Sequence, residues 1–384
     1  MNVVALTETV PGERRVAVTP QSAAKLVALG AEVAVESGLG TSIFRADTEY
    51  AAAGVKVGAR AGLLPTADLL LAVQPPAPDI VAALKPGAML ASFLDPFFNH
   101  DLVTNLMTAG ISALCMELIP RTTYAQKMDA LSSQASLGGY AAVMMAAQRS
   151  IKAFPMMSTP AGTIAPARVF VVGAGVAGLQ AIATAKRLGA RVEAYDTRPV
   201  VKEQVQSLGA RFVEIDVGET GQTEQGYAKE LSEEQLARQR EQMAKICAGA
   251  DVIITTAQVF GRSAPRIISA AMVAGMKPGS VIVDMAASTG GNVEGTEAGR
   301  DVITVNGVTI VGPGNLPAEV ALDASQMYAN NLYLLVEHAW NSATSSVDLD
   351  TSDNVIGPCL LTHGGVIRDE RVRAAVEGSP ERTA

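Results

Sequence analysis

The stretch RVFVVGAGVAGLQAIATAKRLGARVEAYD (168–196) decides the fold. It opens on the apolar run VFVVG (169–173) and passes through Gly173, Gly175 and Gly178. It continues as a helix-forming segment and closes on a second apolar run ending in Asp196. Gly-x-Gly-x-x-Gly alone is a weak signal. Here strand, glycine turn, helix, strand and acidic residue follow in the order of a dinucleotide-binding βαβ unit. Gly173 permits the tight turn. Gly175, followed by Val176 at the helix start, lets the backbone approach a pyrophosphate whose charge meets the helix N-terminus. Gly178 lets the helix lie close to the strand. Asp196, eighteen residues past Gly178, is placed to accept hydrogen bonds from an adenosine ribose and to repel a 2′-phosphate, which favours NAD(H) over NADP(H). Arg198 is placed to pair with such a phosphate and tempers that bias. The bland alternative is a nucleotide-free domain whose glycines only pack.

Outward from this unit the same phrase recurs. AAKLVALGAEVAVE (23–36) and VKEQVQSLGARFVEID (201–216) each run from helix through Leu-Gly-Ala into a strand. Gly30, Gly189 and Gly209 fit the left-handed position past a helix end. Thr19-Pro20 reads as a helix start. Further strand candidates are NVVALT (2–7), ADLLLAV (67–73), AMLASFL (88–94), ISALCME (111–117), DVIITT (251–256) and VIVDMA (281–286). Their continuous apolar character suits parallel strands covered on both faces. The fold class is α/β: two Rossmann-like doubly wound parallel-sheet domains joined by two long helices, near 125–153 and 317–340. The N-terminal domain is discontinuous, 1–125 plus 330–384, and the nucleotide domain is 126–329. Asn306-Gly307 predicts a tight hairpin, and LLTHGGVI (360–367) a second. The Pro-rich 154–167 reads as a connector. VGETGQTEQG (217–226) reads as a surface loop able to act as a lid, with a charged helix at 227–248 after it, and the tail beyond Gly378 as frayed.

Composition excludes several classes. The 384 residues carry a net charge of −8, which argues against nucleic-acid binding. No apolar run reaches about 18 residues, so no membrane span is expected. Cys115, Cys247 and Cys359, with three scattered histidines, make no metal box. A reducing cytosol suits the chain, and the N-terminus shows no targeting peptide.

Beyond the fingerprint, the segments ETVPGERRVAVTP (8–20), PRTTYAQKMDALSSQASLGGY (120–140), AYDTRPVVKEQVQSLGA (194–210), GYAKE (226–230), GRSAPRIISAAMVAGMKPGSVIVDMAASTGGN (261–292) and LDASQMYANNL (322–332) give the chain a resemblance along nearly its whole length. It resembles the NAD(H)-binding soluble component of proton-translocating nicotinamide nucleotide transhydrogenase. The resemblance implies that Arg121, Gln126, Asp129 and Ser132 hold and orient the nicotinamide end. It implies that Gly226 and Tyr227 close over bound nucleotide, and that Thr197, Ala257 and Gln258 add cofactor contacts. It implies hydride transfer to NADP⁺ held on a partner subunit, coupled to proton movement through membrane subunits. A homodimer and a cytoplasmic position, peripheral on the inner face of the membrane through those partners, come with it. No metal is implied.

Alanine dehydrogenase is similar in outline and is the rival. Its chemistry needs a lysine to polarise pyruvate, a histidine as acid and base, and an aspartate near the nicotinamide. Those positions fall on Gln74, Asp95 and Ser288, so none is retained, and several orders of magnitude in rate go with them. A catalytically silent NAD-binding protein is a third reading. The chain departs from the transhydrogenase pattern at Gln258-Val259-Phe260-Gly261, at Ala318-Glu319, and at Tyr124 and Lys127. With hydride passing directly between two rings, no side chain has to act as acid or base, and catalysis reduces to approach, orientation and exclusion of water.

Overall fold

The computed structural model describes residues 1–215 and 233–378. The expected lid, with Gly226 and Tyr227, and the tail after Gly378 lie outside the described residues.

The chain forms two compact units. The first is Met1–Gln134 with Ala318–Ala384, and the second is Ala135–Pro317. In the first, the sheet order is Val366–Ile367, Leu360–His363, Ser112–Cys115, Met89–Ser92, Leu69–Leu71, Asn2–Ala5, Glu32–Glu36, Lys56–Gly58. The first two strands run antiparallel and the other six are mutually parallel. The strand order reverses between Asn2–Ala5 and Leu69–Leu71, which makes a crevice at their carboxyl ends.

The second unit repeats the plan. Its order is Arg211–Phe212, Arg191–Tyr195, Arg168–Val172, Val252–Thr255, Val281–Asp284, Thr309–Gly312, Arg300–Ile303, with only the last strand antiparallel. Period-2 alternation divides each apolar strand between two cores. Val169 and Val171 pack with Ala181, Ile182 and Ala142 on one face. Phe170 and Val172 pack with Met243, Cys247 and Ile282 on the other. Both units are Rossmann-like and doubly wound. Gly30, Gly189 and Gly209 take φ of +99°, +88° and +76°, as the Leu-Gly-Ala phrases require.

The differences from expectation are local. The first long helix is Ala130–Arg149, preceded by a 3₁₀ turn at Ala125–Met128, because Asp129 caps it. The second is Ala321–His338, entered through a 3₁₀ turn at Leu316–Val320. The 154–167 connector contains a short hairpin, Met157–Thr159 with Gly162–Ile164, whose three-residue arms leave no periodicity to read. Asn306-Gly307 sits in a five-residue loop rather than a two-residue turn. Asn306 leaves the turn to donate its amide to the Val273 and Met276 carbonyls. The 360–367 hairpin turns on Gly364 and Gly365, at φ +61° and +75°.

Candidate functional site

The glycine turn leaves the strand Arg168–Val172 at Gly173 and enters the helix Val176–Arg187. Gly173 has φ +96°, and a Cβ there would lie 2.5 Å from Thr256 Oγ1. A Cβ on Gly178 would lie 1.9 Å from the Gly173 carbonyl oxygen. Both positions are closed to any other residue by the chain itself. Gly175 differs: a Cβ there meets only Arg198 Nη2, at 4.0 Å. The chain packs nothing against Gly175, so its lack of a side chain leaves room for something else. No side chain caps the helix start, and Val176 in its first turn is 46% exposed. Uncapped first-turn amides beside an open glycine suit a pyrophosphate.

Asp196 follows the strand Arg191–Tyr195. Its Oδ2 accepts from the Ala174 amide at 2.7 Å and from Arg198 Nη2 at 2.9 Å. Its Oδ1 accepts from the Arg198 amide and Nε, both at 2.9 Å. Two oxygens offer about four lone-pair sites, so the chain fills all of them. The pairing with Arg198 is bidentate and mostly shielded, with side-chain exposures of 7% and 18%. Asp196 and Arg198, read as opposing influences on a 2′-phosphate, are one ion pair. A ribose hydroxyl gains Asp196 only when Arg198 swings away. Thr197, between them, is half-buried.

The third strand end, after Val252–Thr255, carries Ala257 and Gln258. Asn292, fully buried, accepts from the Ala257 amide at 3.0 Å and donates to the Ala257 and Pro265 carbonyls. Gln258 Nε2 donates to the Met285 carbonyl at 3.2 Å. Thr256 Oγ1 donates to the carbonyls of Val172 and Gly173 and so clamps the glycine turn from the neighbouring strand. Buried Asp284 accepts from Thr255 Oγ1, Thr296 Oγ1 and the amides of Ala286 and Val293. These supporting residues escaped the sequence reading. Their only signal is polar side chains at the ends of apolar strands. Gly139 also escaped it: a Cβ there would lie 2.2 Å from the Ala177 carbonyl oxygen, so this glycine lets the long helix press on the first turn of Val176–Arg187.

In the first unit, Asp129 is buried and accepts from the Ser132 amide at 2.9 Å and from Ser132 Oγ at 2.6 Å. It is the N-cap of the helix Ala130–Arg149. Arg121 and Gln126 stand exposed on the loop before it. The four residues thus divide: Asp129 and Ser132 set the loop's exit, and Arg121 and Gln126 point outward.

The crevice of the first unit's sheet is occupied by the chain's own polar groups. Arg15 and Glu13 pair bidentately, with Nη2 2.6 Å from Oε2 and Nε 2.9 Å from Oε1. Gln74, where a dehydrogenase lysine falls, donates Nε2 to Glu13 at 2.6 Å. Burial opposes ionisation of Glu13, but Arg15 and Gln74 outweigh it and bring the carboxyl down to about 2. Glu8 accepts from the amides of Val73 and Gln74. Burial pushes its carboxyl up to about 7, with the nearby Glu13 charge adding to the effect. Asp95 has φ +48°, and its amide donates to Glu117 at 2.7 Å. In the second unit, Ser288 lies in a 3₁₀ turn, Ala287–Thr289, after the strand Val281–Asp284.

Comparison with known proteins follows the same division. The family model for the alanine dehydrogenase/PNT N-terminal domain matches residues 4–138, and that for the C-terminal domain matches 142–370. The first portion of the NAD(P) transhydrogenase subunit alpha of Rickettsia prowazekii, a separate polypeptide, is 43% identical over 98% of this chain and 98% of its own length. The crystal structure of a transhydrogenase from Sinorhizobium meliloti superposes with a TM-score of 0.86 at 44% identity, over 96% of this chain and 100% of that one. The alanine dehydrogenase of Mycobacterium tuberculosis is more distant, 29% identical over 97% of this chain and 96% of its own. The chain belongs to the alanine dehydrogenase/PNT family, within the group of NAD(P) transhydrogenase alpha subunits.

Proposed function

We propose that this chain is the NAD(H)-binding component of a proton-translocating transhydrogenase, active only with a partner that holds NADP(H). The observation that carries this reading is the cradle at Gly173, Gly175 and Gly178, with the one open glycine at the uncapped helix start. These residues fit a dinucleotide: first-turn amides for the pyrophosphate and Asp196 for the ribose. When bound, the reduced nicotinamide supplies the hydride. Arg121 and Gln126 orient the ring end, Asp129 and Ser132 fix the loop that carries them, and Ala257 and Gln258 line the strand end. Gly226 and Tyr227 cover the nucleotide and exclude water. No proton has to be held by a side chain in such a transfer, which suits a crevice where Gln74 is a neutral amide committed to Glu13.

The second nucleotide belongs on a partner because the other glycine-rich stretch, GLGTSIF (38–44), enters a 3₁₀ turn at Thr41–Ile43 and not a helix. Among the described residues, no helix is long and apolar enough to cross a membrane, so we place the chain peripherally on the cytoplasmic face through membrane partner subunits. A homodimer is part of the proposal. The hairpin 157–164 is exposed along both strands, and no charged residue lies between Lys152 and Arg168. Such an arm suits association between copies of an acidic chain. The test is incubation of the purified chain with NADH, pyruvate and ammonia, beside a titration with NADH alone. Saturable NADH binding without turnover is expected. Brisk oxidation of NADH by pyruvate would make the chain an alanine dehydrogenase.

A further inference from the structure

The loop from Arg121 to Asp129 has little internal structure. Its backbone is held by a 3₁₀ turn at Ala125–Met128 and by the Ala125 amide on Thr122 Oγ1 at 3.3 Å. Short 3₁₀ segments are weak on their own, so the loop's position depends on what grips it from outside. The helix Ala321–His338 supplies two grips within the same unit. Near its middle, Asn331 donates Nδ2 to the Lys127 carbonyl at 2.8 Å and accepts from Ser133 Oγ at 2.7 Å. At its last residue, His338 Nδ1 lies 3.2 Å from the Tyr124 hydroxyl, and His338 Nε2 lies 3.0 Å from Asp353 Oδ1.

The second grip has a fixed polarity. Asp353 accepts from the His338 side and from the amides of Val355 and Ile356, both at 2.8 Å. A carboxylate on Nε2 places the proton there and leaves Nδ1 as the acceptor. The Tyr124 hydroxyl therefore donates to Nδ1. The two rings meet edge to face at 5.5 Å, and the Lys127 ammonium lies 5.9 Å from the Tyr124 ring. Tyr124 is three residues from Arg121 and two from Gln126, so its ring direction sets the loop between them. We propose that Tyr124, His338 and Asp353 form a positioning clamp for the loop that carries Arg121 and Gln126. None of the three touches the reacting atoms. Tyr124 departs from the transhydrogenase pattern, so the clamp is a feature of this chain. The functional half of the inference rests on the transhydrogenase reading, whereas the clamp itself does not.

Hydrogen–deuterium exchange of the nucleotide-free protein tests the clamp without any assay of activity. Peptides covering 121–128 should exchange roughly three- to tenfold faster in Tyr124→Phe and in His338→Ala, the range expected for loss of one hydrogen bond. The double variant should exchange no faster than His338→Ala alone, because both changes remove the same bond. Asp353→Asn, which keeps an Oδ1 acceptor, should stay near wild type. Unchanged exchange in both single variants, or additive effects in the double, would overturn the clamp. With an NADP-binding transhydrogenase component added, Tyr124→Phe should lower kcat for hydride exchange severalfold at unchanged NADH Kd. Equal kcat despite a loosened loop would overturn the positioning role. No hydride exchange by the wild type itself would count against the transhydrogenase function and leave the deuterium result to decide the clamp.

Discussion

Replacing Asp196 by Ala should do more than remove a ribose acceptor. The carboxylate holds Arg198 through three hydrogen bonds near 2.9 Å, and the pair is largely shielded. In the wild type, a bound NADH ribose competes with Arg198 for Asp196, and a 2′-phosphate meets a carboxylate already neutralised by its neighbour. Preference for NADH over NADPH is then moderate, roughly tenfold. Asp196→Ala removes bonds to a charged acceptor, worth about 1.5–3 kcal/mol, so NADH should weaken by roughly tenfold to a hundredfold. It also frees the Arg198 guanidinium for a charge-assisted contact with the 2′-phosphate, so NADPH should tighten. The ratio of the two dissociation constants should fall by about a hundredfold and approach or cross unity. Arg198→Ala acts in the opposite sense: it uncovers the carboxylate, leaves NADH affinity equal or better and widens the preference towards roughly a hundredfold. Isothermal titration of both nucleotides against the three proteins reads all of this. A ratio unmoved by Asp196→Ala, or narrowed by Arg198→Ala, would refute the reasoning.

Three further outcomes are expected. Gly175→Ala should melt like wild type yet bind NADH at least tenfold more weakly. Gly178→Ala and Gly139→Ala should lose about 1–3 kcal/mol or more of stability, because their new Cβ atoms would lie 1.9 and 2.2 Å from backbone oxygens; paired melts and titrations separate the cases. Glu8 has its folded carboxyl raised from 4.5 to about 7, so its favourable contribution is full below pH 4.5 and is lost as pH rises to 7, a swing of up to ~3 kcal/mol. Glu8→Gln should therefore flatten the fall in melting temperature between pH 5 and 8, and an unchanged slope would remove Glu8 from the account. Asp129→Asn should cost about 1 kcal/mol of stability through its cap as well as slowing hydride exchange, whereas Arg121→Ala and Gln126→Asn should slow exchange with little effect on melting.

The cradle was legible because its constraints are local. Gly173 and Gly178 are forced by atoms a few residues away or on the adjoining strand, and the Leu-Gly-Ala phrases report left-handed turns one residue past a helix. The Asp196–Arg198 pair spans two residues, yet its meaning changed once the geometry was known: spacing named the groups and not their mutual saturation. What stayed hidden was long-range. Asn292 serves Ala257 across 35 positions and Tyr124 meets His338 across 214, and no periodicity joins such residues. The hairpin at 157–164 escaped because three-residue arms carry too little pattern to outweigh the prolines around them.

The central claim is that this chain presents NAD(H) to a nucleotide held elsewhere. The direct measurement is stopped-flow hydride exchange between an NAD analogue on this protein and NADP(H) on a purified NADP-binding transhydrogenase component, with each protein alone as control. The account predicts exchange only in the mixture, slowed severalfold or more by Gln126→Asn at nearly unchanged NADH affinity. Tight NADH binding with no exchange in the mixture would contradict it and would leave a nucleotide-binding protein without the transfer reaction.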